Sequence, residues 1–323
     1  MRCALGAALA AGLLAGCGSG TPAAKVEAAW GHPGKEAGSF VKPRGLAVDV
    51  ERGLVYVADM SGRIQKFDLA GSFLASWEVP DTELGTSEGL AVTAGGDLLV
   101  ADTHYHRILR YRFGSGAPEG AWAPLAGERR MNPWVIGERG TGPGQFLFPI
   151  AVAVDAGGHI YVSEYGGNDR VQKFDAGGRF LLQWGVLGKG QGQLLRPSGI
   201  AIERDGNVLV ADAANHRIQR FTPEGAFLAA WGTQGTGAAN GDLHYPYDVA
   251  ALPDGTFVVA ENYNHRLQRF AADGRPLGVL GGPGREAGQF SRPWCLAAAA
   301  GGAVYVSDTM NHRIQLVRFA LGS

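Results

Sequence analysis

The sequence predicts an all-β fold, a six-bladed β-propeller of four-stranded blades, and three observations lead to this prediction. One unit recurs along most of the chain, each unit contains four short strand-like runs, and the two ends of the chain complete one another. The composition agrees, because 51 of the 323 residues are glycine, which helical bundles and coiled coils avoid.

The repeated unit is marked by an arginine that recurs at steps of 44, 63, 47, 49 and 47 residues. The six copies are Arg63, Arg107, Arg170, Arg217, Arg266 and Arg313. The long second step places an insertion, residues 114–131, between the third and fourth strands of the second unit. Such an insertion maps to a loop on one face, and here we expect the face opposite the mouth of the central channel.

The clearest copy of the unit covers residues 197–232. Its runs at 200–202, 208–211, 218–221 and 227–231 are rich in β-branched, aromatic and other apolar residues, which favour strands. Turn-forming pairs separate them, such as Asp205-Gly206 and Glu224-Gly225. Several units of four short strands are typical of a propeller.

The ends of the chain predict how the ring closes. The sixth unit, from Pro293 to about Leu321, supplies only three strands. Residues 26–31 match the missing fourth strand, since they end in Trp30-Gly31 as the clearest copy ends in Trp231-Gly232. The N-terminal strand is therefore predicted to complete the last blade and to protect its edge.

The first residues have the pattern of a targeting segment. A basic start precedes an apolar run of 14 residues, which is too short to span a bilayer. Leu14-Ala15-Gly16-Cys17 resembles the lipobox of bacterial lipoproteins, which implies cleavage before Cys17 and acylation of its sulfur; the alternative is an ordinary secretory peptide with an incidental cysteine. Residues 1–16 are then a signal peptide, 17–24 a flexible tether and 25–321 the propeller. Gly18, directly after the cysteine, favours localisation to the outer membrane of a Gram-negative cell envelope. The cysteine of the propeller, Cys295, is expected to be buried and inert.

The repeats resemble NHL repeats, which are named for an Asn-His-Leu/Arg-type triplet. The triplet is complete at Asn215-His216-Arg217, Asn264-His265-Arg266 and Asn311-His312-Arg313, and it is altered in the first three units. The resemblance implies the fold strongly and the function weakly.

Charge and composition exclude some functions. The net charge is −1, whereas nucleic-acid binders carry a basic excess. We therefore expect no nucleic-acid partner, and membrane contact only through the N-terminal lipid.

An acidic residue ends the second strand of every unit, just before the repeated arginine. Because a catalytic group is normally unique in a chain, six copies indicate structural ion pairs that fix the turns. The predicted pairs are Asp59–Arg63, Asp102–Arg107, Glu164–Arg170, Asp212–Arg217, Glu261–Arg266 and Asp308–Arg313.

One position at the start of each first strand varies chemically, and it is predicted to line the channel mouth; it follows a proline in five units and Ser87 in the second. It holds Arg44, Glu88, Ile150, Ser198, Tyr247 and Trp294. Tyr105, Tyr165 and Tyr263 fall in neighbouring loops on the same face. Aromatic residues beside charged ones suit a binding patch, so Arg44, Glu88, Ser198, Tyr247 and Trp294 are the predicted ligand-binding residues.

The resemblance also raises an enzymatic alternative. Some NHL propellers are amidating lyases for peptidyl-α-hydroxyglycine whose zinc histidines follow the same proline, but none of the six positions here is histidine. Calcium-dependent six-bladed lactonases use acidic and amide ligands at the mouth, where only Glu88 fits. We therefore expect no catalytic residues, metal or cofactor, and a monomeric envelope protein that binds a protein, peptide or glycan; the alternative is a channel-centred hydrolase or lyase.

Overall fold

The computed structural model describes residues 24–111, 134–234 and 240–321. The predicted signal peptide, most of the tether, Cys17 and the insertion at 114–131 lie outside these residues. Within them the chain forms six antiparallel four-stranded sheets arranged as blades. The all-β, six-bladed fold predicted from the repeats is confirmed.

The strands follow one another outward from the axis in each blade. In chain order the strands are β1 (Ala24–Trp30), β2 (Pro43–Asp49), β3 (Leu54–Asp59), β4 (Arg63–Asp68), β5 (Phe73–Glu78), β6 (Gly89–Val92), β7 (Leu98–Asp102), β8 (Arg107–Tyr111), β9 (Trp134–Ile136), β10 (Phe148–Val154), β11 (Ile160–Tyr165), β12 (Arg170–Phe174), β13 (Phe180–Trp184), β14 (Pro197–Ile202), β15 (Val208–Asp212), β16 (Arg217–Phe221), β17 (Phe227–Trp231), β18 (Thr233–Gln234), β19 (Asp242–Leu243), β20 (Pro246–Ala251), β21 (Phe257–Glu261), β22 (Arg266–Phe270), β23 (Pro276–Gly281), β24 (Pro293–Ala298), β25 (Ala303–Asp308) and β26 (Arg313–Phe319).

Blades 1 to 5 are β2–β5, β6–β9, β10–β13, β14–β17 and β20–β23, and blade 6 is β24, β25, β26 and β1. The short strands β18 and β19 form a parallel pair in the loop that enters blade 5. Four 3₁₀ turns complete the regular structure: Thr103–Tyr105, Ala213–Asn215, Ala300–Gly302 and Thr309–Asn311. No helix among the described residues has the length and apolar character needed to cross a bilayer.

The ring closes through the N-terminal strand. β1 pairs antiparallel with β26 and places Trp30 opposite Ile314, as β17 places Trp231 opposite Ile218 in blade 4. β1 begins at Ala24, one residue before the predicted start of the propeller. Sheet closure by the two ends of the chain leaves blade 6 with the same four strands as its neighbours, as the sequence predicted.

The hydrophobic core is divided among the joints between blades. Each of the six clusters of buried side chains draws from two neighbouring blades. The cluster at the closing joint, for example, packs Phe40 and Phe67 of the blade 1 side against Tyr305 and Ile314 of blade 6. A blade therefore buries its two faces only against its neighbours, so the blades stabilise one another around the ring.

Candidate functional site

The six predicted acid–arginine pairs are all ion pairs in the structure. Their N–O distances run from 2.6 to 3.2 Å, and all six carboxylate side chains are buried. The pairs are Asp59–Arg63, Asp102–Arg107, Glu164–Arg170, Asp212–Arg217, Glu261–Arg266 and Asp308–Arg313. They lie at the same place in every blade, where the second strand turns into the third.

Blade 4 shows what such a pair does. Asp212 accepts hydrogen bonds from Arg217 Nε at 2.7 Å and from the backbone N–H of Leu195 at 2.7 Å. Arg217 in turn donates to the carbonyl oxygens of Gly190 and Gln193 at 2.7 and 2.9 Å. Burial raises the pKa of Asp212, although its hydrogen bonds act in the opposite direction. The pair thus ties the loop entering the blade to the turn of that blade, which supports a structural role.

The histidines of the three complete triplets each link their own blade to the next one. His216 Nδ1 lies 3.2 Å from the backbone N of Tyr245, and His265 Nδ1 lies 3.0 Å from that of Arg292. An N–H donates in each case, so Nδ1 is unprotonated and accepts the hydrogen bond. Burial lowers the pKa of both histidines, which favours this neutral form. In blade 3, where Asp169 replaces the histidine, its carboxylate accepts from the N–H of Arg196.

The mouth of the channel is shaped by bulges in the innermost strands. In blades 1, 3, 4, 5 and 6 the pairing of the first strand shifts directly after its proline. A bulge re-aims the side chains near it. In this register Arg44 and Glu88 form an ion pair, the Arg44 guanidinium lies 4.2 Å from the Trp294 ring centroid, and the Trp294 and Tyr247 centroids are 4.1 Å apart.

The structure therefore brings together four of the five predicted ligand-binding residues. The fifth, Ser198, is only 3% exposed, and its backbone carbonyl accepts a hydrogen bond from the Ser163 hydroxyl at 2.5 Å. Ile150, at the equivalent position of blade 3, is 4% exposed.

Blade 3 contributes Tyr165 to the mouth, and blade 4 contributes Arg196. The Arg196 guanidinium lies 5.1 Å from the Tyr165 ring centroid. Burial raises the pKa of Tyr165, the Glu88 charge raises it further, and Arg196 and Arg44 lower it. Burial likewise raises the pKa of Tyr247, on which the same three charges act. These side chains therefore share one electrostatic environment.

One side chain from each blade thus meets at the mouth. We call this set the mouth cluster: Arg44, Glu88, Tyr165, Arg196, Tyr247 and Trp294. The set contains three aromatic rings, two arginines and one carboxylate, and no two neighbouring blades supply the same residue.

An aromatic rim extends the mouth cluster outward over blade 5. Tyr245 lies 6.3 Å from Tyr247 and 5.0 Å from Tyr263, measured between ring centroids. The Arg292 guanidinium lies 5.2 Å from the Tyr263 ring. Sequence reasoning placed Tyr263 on this face but missed Arg196 and Arg292. The available signal was their shared register, since both directly precede the proline that opens a blade.

Asp248 and Cys295 occupy the innermost strands of blades 5 and 6. Asp248 is buried and accepts hydrogen bonds from the N–H groups of Leu296 and Val249 at 2.7 and 2.9 Å. Burial raises the pKa of Asp248 to about 7. Burial and the neighbouring Asp248 raise the pKa of the Cys295 thiol, which is partly rather than fully buried. A raised pKa keeps the thiol protonated and therefore weakly nucleophilic.

Neither a metal-ligand cluster nor the loop cavity offers a comparable site among the described residues. Across the described segments, no three His, Cys, Asp or Glu side chains are grouped as metal ligands would be. A cavity of about 580 Å³ lies between Gly137 and Gln145, where Gln145 donates to Glu138 at 3.0 Å. This cavity is an open groove on the loop that enters blade 3. It lacks the convergent side chains found at the mouth.

Comparison with known proteins agrees with the fold. The NHL repeat family matches residues 146–174, 194–221, 243–270 and 290–315. The chain is therefore an NHL-repeat β-propeller with six blades. A search of the curated proteins found no significant match.

Solved structures share the fold at low sequence identity. A gluconolactonase from Xanthomonas campestris gives a TM-score of 0.62 at 13% identity, over 87% of this chain and 86% of that one. Virginiamycin B lyase from Staphylococcus aureus gives 0.57 at 14% identity, over 86% and 95%. A chain of a nidogen/laminin complex gives 0.58 at 18% identity, over 79% and 84%. Likeness at these identities concerns the fold, because one fold hosts many functions.

Proposed function

We propose that this propeller is a binding module whose ligand contacts the mouth cluster. The observation that carries the proposal is the contrast between the joints and the mouth. The same acid–arginine ion pair recurs in all six blades. At the mouth, by contrast, no two neighbouring blades supply the same residue. Repetition is expected of a scaffold, and a convergent set of unlike side chains is expected of a recognition site.

The chemistry of the mouth cluster supports binding rather than catalysis. Tyr, Trp and Arg are enriched where proteins bind other molecules. The one carboxylate, Glu88, is engaged by Arg44 and is not free to act as a general base. The fold is also found in a nidogen/laminin complex, an example of a propeller of this shape in a protein assembly.

The test removes together the two aromatic anchors, Trp294 and Tyr247, whose rings are in contact. Trp294→Ala with Tyr247→Ala should weaken ligand capture at least thirtyfold, since truncating one hot-spot residue typically costs about 2 kcal/mol. Capture is measured by pull-down from envelope extract with the purified chain as bait, comparing the variant with wild type. Trp134→Ala is the matched control, because Trp134 is a half-exposed aromatic of the outer strand of blade 2.

The outcome also distinguishes the two faces of the ring. Tyr247 is only 8% exposed, so the double variant is expected to melt at a lower temperature than wild type; circular dichroism must show that it is still folded at the temperature of the pull-down. Deleting residues 114–131 should leave capture intact. If that deletion abolishes capture and the aromatic double variant does not, the ligand binds elsewhere and the proposal fails.

The second candidate is a channel-centred hydrolase or lyase. It is favoured by the shared fold with a gluconolactonase and with virginiamycin B lyase, and by Asp248, whose pKa of about 7 suits proton transfer near neutral pH. Metal analysis of the purified chain, followed by lactone-hydrolysis assays with added divalent ions, tests it. A stoichiometric metal together with activity that Asp248→Asn abolishes would replace the binding proposal.

We further propose that the protein is a monomer anchored in the bacterial cell envelope by a lipid on Cys17. The support is the lipobox-like Leu14-Ala15-Gly16-Cys17 after an apolar run. Cys17→Ser should abolish labelling by a radioactive fatty acid and leave the precursor uncut. Label retained on that variant would contradict the anchor.

A further inference from the structure

Three cationic residues occupy one register at the mouth, directly before the prolines of blades 1, 4 and 6. They are Lys42, Arg196 and Arg292, with backbone φ of 50°, 52° and 53°. This left-handed region costs a non-glycine residue roughly 1–2 kcal/mol. The backbone N–H of each points to an acceptor of the preceding blade. The joints thus hold a strained conformation that carries a cation at each of these three positions.

The arginines are oriented by aromatic rings. Arg196 lies over Tyr165 and Arg292 over Tyr263, at 5.1 and 5.2 Å from the ring centroids. A guanidinium stacked on a ring keeps its edge N–H groups available in a fixed plane, and that geometry matches a carboxylate. Both arginines are exposed. Within the described part of the chain, neither guanidinium has an ion pair, and the same is true of the Lys42 ammonium.

The two tyrosine rings below these arginines already stack on other aromatic side chains. Tyr165 is stacked on Phe148 with centroids 5.4 Å apart, and Tyr263 is stacked on His244 at 5.1 Å. Each of these tyrosines thus contacts a second ring as well as a guanidinium. A sugar or a nucleic-acid base that binds by stacking needs a free aromatic face, whereas an anion needs only the guanidinium edges.

We propose that the mouth binds an acidic peptide segment whose carboxylates pair with Arg196, Arg292 and Lys42. This inference rests on the proposed function and specifies its ligand. Glu88 adds no net repulsion, because Arg44 neutralises it. Lys42, Arg196 and Arg292 thus give the mouth three positive charges that no carboxylate of the described residues pairs with, in a chain whose net charge is −1.

The experiment measures binding of a fluorescein-labelled peptide of alternating Glu and Ser to the purified full chain by fluorescence anisotropy. The matched peptide has Gln in place of Glu. We expect the acidic peptide to bind at least tenfold more tightly than the Gln peptide and to weaken as salt is raised. Arg196→Gln with Arg292→Gln should weaken the acidic peptide at least tenfold.

The control variant removes the same charge from the other face. Arg204 and Arg275 are exposed and lie in the turns β14–β15 and β22–β23, at the opposite end of the blades. Arg204→Gln with Arg275→Gln should leave the affinity within twofold of wild type. Equal weakening by the two double variants would mean that only overall charge attracts the peptide, and it would overturn the inference.

Three other outcomes also overturn it. The first is that the acidic peptide does not bind. The second is that polygalacturonate or a single-stranded RNA binds more tightly than the peptide, and the third is that the Gln peptide binds as well as the Glu peptide. In the last case, loss of binding in Trp294→Ala would show that the mouth is a binding site without preference for acids. The proposed function would then stand while this inference falls.

Discussion

Trp30 is the residue on which closure of the ring can be tested most directly. Its ring lies 6.2 Å from Phe67 of blade 1 and 5.9 Å from Tyr305 of blade 6, measured between centroids. Each aromatic contact contributes about 0.5–1.5 kcal/mol beyond the area it buries. Truncating a fully buried tryptophan costs about 3–5 kcal/mol. Because Trp30 is partly exposed, we expect Trp30→Ala to lower the free energy of unfolding by about 3 kcal/mol.

The assay is equilibrium unfolding in urea followed by circular dichroism, which does not depend on the tryptophan removed. Trp134→Ala is the matched control, since Trp134 is half-exposed on the outer strand of blade 2 and its ring lies 5.8 Å from the Arg110 guanidinium. We expect that control to lose less than about 1 kcal/mol, as surface substitutions usually do. If Trp30→Ala loses no more than Trp134→Ala, β1 does not stabilise the ring and the reasoning on closure is refuted.

Three further predictions concern the joints and the innermost strands. Burial lowers the pKa of His216 and His265 below 6.5, so below that pH the unfolded chain binds more protons and stability falls; urea unfolding of a variant with both changed to Asn should depend less on pH between 6.5 and 5. The pKa of Asp248 is raised from 3.8 to about 7, so its contribution to stability is lost as pH rises through 7, by up to about 4 kcal/mol; a stability difference between wild type and Asp248→Asn that stays constant from pH 4 to 8 would contradict this. Arg217→Met leaves a buried carboxylate without its cation and should cost about 3 kcal/mol or more, whereas Arg179→Met, in an exposed pair, should leave the urea midpoint unchanged.

The regular part of the fold was predictable because each unit repeats the same local signals. Strand boundaries were less so, and the first strand of blade 4 shows why. Its apolar run suggests residues 200–202, yet β14 spans Pro197–Ile202. A bulge lets Pro197 pair with Asp212 while the two residues after it leave the ladder. Proline is compatible with the first residue of a strand and with a bulge, so the proline marks where the strand opens, whereas the apolar run alone places the start three residues too late.

The candidate site was predictable in part for the same reason. The register after the proline identified Arg44, Tyr247 and Trp294, because each of their strands has a bulge directly after its proline. It could not show that Ser198 is buried while Arg196, two positions earlier, reaches the ring of Tyr165. Which side chain fills the space at the mouth depends on the sizes of the neighbouring side chains and on contacts between blades. The sequence of a single repeat does not contain this information.

The triplet shows why blades that look alike are not joined alike. In blade 4, Asn215 and Arg217 bind the carbonyl oxygens of the loop that enters the blade, and His216 accepts an N–H of the loop that enters the next one. Each complete triplet therefore fixes two successive joints. In blade 2, His106 packs on Phe148 with centroids 5.1 Å apart, and its Nδ1 is buried with no hydrogen-bond partner among the described residues. The joint between blades 2 and 3 thus lacks the link that the later joints have. An unsatisfied buried acceptor there makes it a place where the ring is held by packing more than by hydrogen bonds.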